Sequence, residues 1–371
     1  MLTKRHRKIL WLLSVIWLST VAGIANARHI PLIEDPMGAP FRIRDYTFPS
    51  FLVLGFAPAP ASPLGQDHSA VEFHYSIINN FQSSQEVEAY LKQSRGNTRR
   101  PLDSTDVDFI LGLPQGQAYY IDGEFGILEF AAHWGLTERI DLGAGINYIH
   151  YGGRSLDEVI FDFHDAVGVG QAGRDYVLDN RVQVVLGRDG GQDVVLLDRP
   201  SSGGLSDPNI FLRFALPEFV HKWRSNLELG IKVPLMDEEK FLSTGSWDLG
   251  YQLTVDRRYA RDAWIINLGT VFPGKFEQTD FRPPNLPFVN ISWLHRLKRW
   301  TSTRSFVQVL FAEHPYRAIV DSELSDLEFQ LTAGLKWDTS AGIIGFGLTE
   351  NLLNFDNTPD FGLHFTWGLL E

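Results

Sequence analysis

The chemistry-bearing side chains of this 371-residue chain gather most densely in GGRSLDEVIFDFHDAVGVGQAGRDY, residues 152–176. Asp157, Glu158, Asp162, His164 and Asp165 set four carboxylates and one imidazole close together. Such a group could attract a cation, line an ion path or relay a proton. One imidazole among carboxylates is too small a donor set to specify a metal, so no metal site is expected. The spacing predicts a helix instead. Ser155 and Glu158 have the spacing of a capping box, in which each side chain satisfies a backbone N–H at the helix start. Leu156, Ile160, Phe163 and Val167 then fall within about 60° of one another at ~3.6 residues per turn. Glu158, Asp162 and Asp165 share the opposite side, and Gly168 and Gly170 end the helix.

Other candidates are thinner. Asp103, Asp106 and Asp108 in DSTDVD lack the glycine and glutamate of a calcium loop at every starting Asp. GRDGGQD, residues 187–193, matches one fragment of a calcium-binding β-roll but occurs once. Both read as solvated loops. His133, His150, His295 and Ser292 lie on or beside strands and could serve a lipid hydrolase only if the fold brought them together. No Gly-x-Ser-x-Gly elbow occurs, and no Ser/His spacing is diagnostic. The expectation is a non-enzyme with no cofactor. The chain has no cysteine, which excludes disulfides, thiolate metal sites and a Cys nucleophile.

Two kinds of element must position these residues. The first is an export signal. Lys4, Arg5, His6, Arg7 and Lys8 precede the apolar run ILWLLSVIWLSTVAG, and Ala25-Asn26-Ala27 offers a small-x-small cleavage site. Residues 1–27 are expected to be removed, which takes four Lys/Arg and no acid, so the formal charge falls from -12 to -16. Nucleic acid is not an expected partner. The second is a series of alternating strands. In LGAGINYIHY, Leu142, Ala144, Ile146 and Tyr148 oppose Gly143, Gly145 and Asn147; in SWDLGYQLTV, Trp247, Leu249, Tyr251, Leu253 and Val255 oppose Asp248, Gly250, Gln252 and Thr254. Twelve such segments run from residue 70 to the end, with a weaker one at 50–57 and irregular stretches at 116–122, 176–187 and 192–199.

A soluble sandwich and a membrane barrel share this alternation. Three details favour the barrel. The segments approach the ~9–11 residues a tilted strand needs to cross a bilayer. Aromatics such as Trp134, Trp264 and Trp337 sit near strand ends, where an interfacial girdle belongs. The opposite face carries Glu, Lys, Asn, Gln and Gly, which a wet lumen tolerates. The expected fold is therefore all-β, a closed antiparallel up-and-down transmembrane β-barrel of about twelve strands (range 10–16), spanning residues 28–371 as one domain. Residues 28–69 form an N-terminal segment leading to the first strand. Residues 152–204 form a long connector that carries one short helix near 155–167, docked at the barrel mouth or folded into the lumen as a constriction or plug. Asp360, Gly362, Phe365 and Trp367 in the last strand resemble the C-terminal signal read by barrel-insertion machinery, although Gly368-Leu369-Leu370-Glu371 follows.

YIDGEFGILEF at 120–130, GGRSLDEVIFDFH at 152–164 and GLSDPNIFLRF at 204–214 together resemble a proteobacterial family known as domain of unknown function 3187. The resemblance covers the chain from about Pro40 to its end. It implies an outer-membrane-like β-barrel of a Gram-negative bacterium and no particular reaction. The expected role is a channel or small-solute binding protein in the outer membrane, in contact with outer-membrane lipid; the alternatives are a barrel with a structural or interaction role and, third, a membrane-embedded lipid hydrolase.

Overall fold

The computed structural model describes residues 40–371, apart from 153–155, 157–159, 163–172, 180, 189–192, 199–201, 218–221, 280, 298–301, 319–322, 351–357 and 371. Among the described residues the alternating segments become strands. They are β1 (Ser69–Ser83), β2 (Tyr119–Thr137), β3 (Ile140–Tyr151), β4 (Val182–Leu186), β5 (Val194–Leu196), β6 (Gly204–Leu205), β7 (Asn209–Leu216) and β8 (Trp223–Lys232). The series continues with β9 (Asp248–Arg258), β10 (Asp262–Phe272), β11 (Leu286–Arg296), β12 (Thr303–Ala312), β13 (Glu328–Thr339), β14 (Gly342–Glu350) and β15 (Phe361–Leu370).

Twelve of these close a ring. Antiparallel neighbours run β1-β2-β3-β7-β8-β9-β10-β11-β12-β13-β14-β15, and β15 returns to β1 in register from Ala70↔Leu370 to Asn79↔Phe361. Closure leaves no free edge along the wall. The twelve alternating segments of the sequence are the twelve strands of this wall. The weaker segment at 50–57 is not a strand: it contains the 3₁₀ turn Ser50–Leu52 and lies in the lumen.

Burial is inverted relative to a soluble sheet. Asn226, Asp248, Gln252, Thr254, Asn267, Ser292 and Thr349 are almost fully buried and point inward, while Leu249, Tyr251, Trp264, Leu268, Phe346 and Phe365 are 40–55% exposed on the outside. An outward apolar face is favourable only against hydrocarbon, so the wall is a transmembrane barrel. Trp134, Trp223, Trp264, Trp293, Trp337 and Trp367 all lie on outward positions within three residues of one end of their strands. Together they form the interfacial girdle anticipated from the sequence. At that end β2–β3, β9–β10 and β13–β14 are joined by turns of two or three residues, whereas β1–β2 and β3–β7 are joined at the other end by long connectors. No helix among the described residues is long and apolar enough to cross a membrane.

The β1–β2 connector builds a small layer on the long-loop end. Its helix Gln85–Arg95 is capped by Ser84, whose side chain accepts the Val87 N–H. The helix Ser104–Leu111 opens with a capping box between Asp103 and Asp106. Val87, Leu91, Val107 and Ile110 pack with Phe81, Tyr120 and Val185 into a second core, and the β4–β5 hairpin extends β2 beside it. DSTDVD is thus no solvated loop. Asp106 is fully buried and binds Arg95 Nη2 at 2.7 Å and Arg100 Nη1 at 2.8 Å. Burial alone would raise its pKa, but the Asp103 N–H and the two arginines outweigh that and hold it below the usual carboxylate range.

Candidate functional site: a lumen filled by the chain's own N-terminal segment

Residues 40–64, PFRIRDYTFPSFLVLGFAPAPASPL, contain five prolines and four phenylalanines and show no strand alternation. Proline cannot donate to a β-ladder, so this stretch cannot join the wall. It is nonetheless too apolar to stand in water, and Phe41, Ile43, Tyr46, Phe48, Phe51, Leu54, Phe56 and Ala61 are all buried. The space it occupies is the lumen. There it packs against Ile78, Phe125, Ile127, Tyr151, Phe211, Val271 and Phe306 of the wall.

The path is a U. The outgoing limb begins on the wall near the short-turn end, where the Phe41 ring stacks on Phe306 with centroids 4.7 Å apart. The apex turns near the long-loop end, where the Ser50 N–H bonds Thr47 O at 2.6 Å and the Leu52 N–H bonds Pro49 O at 2.9 Å. The return limb descends to Leu64, whose N–H meets Asp141 Oδ1 at 3.1 Å near the start of β3. Main-chain groups of this segment have no ladder partner, and a buried N–H or C=O must be satisfied. Wall side chains do it. Gln308 donates to Phe41 O at 2.9 Å, Gln330 to Arg44 O at 3.3 Å and Asn80 to Tyr46 O at 3.3 Å. Lys232 donates to Leu52 O at 3.0 Å, Asn267 to Ala59 O at 3.0 Å and Asn226 to Pro60 O at 2.9 Å. Asp248 accepts the Leu54 N–H at 2.8 Å and Asp256 the Ala61 N–H at 3.0 Å.

Charge and shape fix the register of the plug. Arg42 bonds Glu129 Oε1 at 2.6 Å and pairs with Glu72 Oε2 at 3.0 Å, joining the outgoing limb to β1 and β2. Lys232 pairs with Asp248 at 2.9 Å at the opposite wall. Arg42 of the plug thus neutralises wall carboxylates, while Lys232 and Asp248 neutralise each other from adjacent strands. The wall glycines are sockets: a Cβ on Gly345 would stand 2.6 Å from the Phe41 ring, and one on Gly230 or Gly250 within 2.8 Å of the Phe56 ring. Within the segment, Arg44 Nη2 braces the apex by donating to Val53 O at 2.8 Å and Ser50 O at 3.2 Å. A cavity of about 50 Å³ remains beside the apex between Arg44, Asp45, Phe56, Val271 and Glu313, space for a water or two.

The family model for "protein of unknown function (DUF3187)" matches residues 107–369. The chain belongs to this family. The DUF3187 match covers the whole wall except β1, together with the partners that hold the plug on β7 to β13, while the plug itself precedes it. No curated protein matches the chain. Among solved structures, an outer membrane channel from Pseudomonas putida F1 is similar at 11% identity and TM-score 0.47, with 85% of this chain and all of that chain covered. The CymD monoaromatic hydrocarbon channel is similar at 10% identity and TM-score 0.34, covering 82% and 88%. Outer membrane phospholipase A from Escherichia coli is similar at 8% identity and TM-score 0.34, covering 82% and 92%.

The residues singled out from the sequence of this DUF3187 chain are scattered. Leu156 and Ile160 of the anticipated helix are helical and buried, Asp162 is helical and exposed, and the Leu156 N–H bonds Glu124 at 3.0 Å beside the long-loop end of β2. Asp157, Glu158, His164 and Asp165 lie outside the described residues, as do Ala25 and Ala27 of the cleavage site. Ser292 faces the lumen and bonds Asn290 and Gln308, His133 is buried on β2 against Gly143, His150 bonds Ser202 O on an exposed edge, and His295 pairs with Asp262 at 2.9 Å. The fold does not bring these four together. In GRDGGQD, the Arg188 N–H caps onto Asp193 at 2.9 Å. Asp360 pairs with Arg174 and Gly362 faces inward, whereas Phe365 and Trp367 face outward on β15.

Sequence reasoning missed the plug and a polar chain behind it. His74 Nε2 and His364 Nδ1 meet Ser76 Oγ at 2.9 and 2.8 Å, Ser76 donates to the Tyr46 hydroxyl at 3.2 Å, and His364 Nε2 meets Thr349 at 2.7 Å. The available signal was composition: an apolar, proline-rich stretch before a barrel whose outside is already apolar has only the lumen to fill.

Proposed function

We propose that this protein is an outer-membrane channel for small polar solutes, held closed by residues 40–64 and opened when that segment leaves the lumen. The observation that carries the reading is the division of labour at the wall. The barrel's own hydrogen bonds run strand to strand, and among the described residues the hydrogen bonds from wall to plug come from wall side chains, so the plug can depart without breaking a barrel ladder bond. A barrel needing only stiffness would fill its interior with its own apolar side chains. Here the inward face mixes apolar residues such as Ile78, Phe125, Phe211 and Phe306, which pack on the plug, with Asn, Gln, Asp, Glu, Lys and Thr, which satisfy its backbone and would equally satisfy water. Short turns face the periplasm and long loops the exterior in bacterial barrels, so both plug limbs open toward the periplasm.

The chain lacks cysteine, which makes the test clean. Ala59→Cys with Asn267→Cys joins the return limb to β10 at a contact that already exists. In planar bilayers the reduced variant should show openings and the oxidised one none. Openings unaffected by oxidation would show that the plug is not the gate. Silence of both wild type and reduced variant would sink the channel reading in favour of a structural barrel.

A further inference from the structure

Two histidines sit side by side on the inner wall where the plug begins. His74 on β1 and His364 on β15 are each 1% exposed, and their rings stack with centroids 5.6 Å apart. Ser76 Oγ lies between them, 2.9 Å from His74 Nε2 and 2.8 Å from His364 Nδ1. The plug covers both rings. Phe41 meets His74 edge to face at 5.2 Å and His364 at 6.3 Å, while Tyr46 stacks on His364 at 5.5 Å and its hydroxyl accepts from Ser76. Imidazole is the side chain whose ordinary pKa, about 6.5, lets it change charge near neutral pH.

The charges around the pair are set for an exchange. On the inner face of the wall, Glu72 lies two residues before His74 on β1, and Glu129 of β2 is its register partner. Both carboxylates are taken by Arg42 of the plug, Glu129 at 2.6 Å and Glu72 at 3.0 Å. Glu228 of β8 also acts on Arg42 and is itself bound by Arg213 at 3.2 Å. The cations that act on His74 are Arg42 and Lys336 of β13, whose ammonium stands 5.9 Å over the Phe41 ring. From β14 comes the Thr349 hydroxyl, 2.7 Å from His364 Nε2 and bonded in turn to Thr332 of β13. His74 Nδ1 finds no hydrogen-bond partner among the described residues. While the plug is seated, a proton on His74 would add a third cation to Arg42 and Lys336, and an N–H without an acceptor. Once Arg42 has left with the plug, Glu72 and Glu129 stand uncompensated beside His74. Arg42 and a proton on His74 thus compete for the same two carboxylates.

We propose that His74 and His364 form an acid-sensitive latch, in which proton uptake by the pair releases residues 40–64 from the lumen. The latch deepens the channel reading and rests on it for what the opening passes. Linkage fixes the direction. Imidazoles in a water-filled lumen take up protons as pH falls through about 6.5, and a proton bound only in the open state shifts the balance toward opening. Between about pH 7.5 and about pH 5.5, one such proton changes the ratio of open to closed about tenfold.

The test compares the full-length protein at about pH 7.5 and about pH 5.5, either side of the ordinary imidazole value, at constant ionic strength. Open probability in planar bilayers is one readout. Hydrogen exchange of residues 40–64 by mass spectrometry, corrected for the intrinsic rate at each pH, is a second that needs no conduction. Acidification should raise both about tenfold or more in the wild type. His74→Gln/His364→Gln keeps hydrogen-bonding groups but takes up no proton, and its response should fall below about twofold. Each single variant should keep part of the response, and His150→Gln, on an exposed edge, all of it. A difference in gel mobility before and after boiling certifies that a variant is folded, and the single variants carry the comparison if the double variant lacks it. Openings and exchange that are the same at both pH values in wild type, or an acid response undiminished in the folded Gln variants, overturn the latch and leave the channel standing. Acid-dependent exchange in a protein that never conducts sinks the channel and leaves the latch standing.

Discussion

A Cβ on Gly55 would stand 2.0 Å from the guanidinium carbon of Arg44, inside the brace that holds the plug apex. No rotamer change of one side chain relieves an overlap that deep while Arg44 keeps its bonds to Ser50 O and Val53 O. Gly55→Leu is therefore expected to unseat the apex. Arg42 and Arg44, at 9% and 6% exposure, are closed to trypsin in the wild type. In the variant, limited trypsin digestion read by mass spectrometry should cut after both. Gly145→Ala, where the new Cβ meets nothing nearer than 3.5 Å, should leave the pattern unchanged. Protection of Arg42 and Arg44 in Gly55→Leu would mean that the plug is held by something other than this packing. Residue-scale facts of this kind were hidden from the sequence: nothing in GFAPAPASPL says that its glycine is filled by an arginine eleven positions earlier.

At the scale of elements the two faces of each strand obey opposite rules. Leu268 lies outward in the middle of β10, 40% exposed, and its neighbours Asn267 and Gly269 point into the lumen. Leu268→Arg should destabilise the folded barrel by about 2–4 kcal/mol if that face meets hydrocarbon. Equilibrium urea unfolding in lipid vesicles measures it, and a change below about 1 kcal/mol would contradict lipid contact at mid-height. Strands were legible because period-two alternation needs only local sequence and a consistent medium on each side. The plug was not, because a segment with Pro40, Pro49, Pro58, Pro60 and Pro63 has no period of its own, and its conformation is set by the groups that surround it. Its partners Asn226, Lys232 and Asp248 read as polar-face residues in the sequence, and Asn267 and Gln308 are of the same types, yet their spacing along four different strands carries no mark of one shared ligand.

At the scale of the whole molecule, closure is the property from which the rest follows. β15 supplies both the partner of β14 and, from Ala70↔Leu370 to Asn79↔Phe361, the partner of β1. Intact protein should migrate differently on a denaturing gel before and after boiling, and a chain ending at Asp360 should lose that difference because two long edges are left open. A truncated chain that keeps its heat-dependent shift would show that the wall closes without β15.

The sequence by itself determined the strand segments, the side of each that tolerates water, the aromatic girdle and the absence of cysteine chemistry, since each depends on local composition and period. Only the tertiary structure decided what stands inside. Arg42 finds Glu129 across 87 positions, and Lys232 finds Leu52 across 180. Those contacts exist because a sheet that closes on itself brings distant strands around one enclosed space, and electrostatics and hydrogen bonding then select what can fill it.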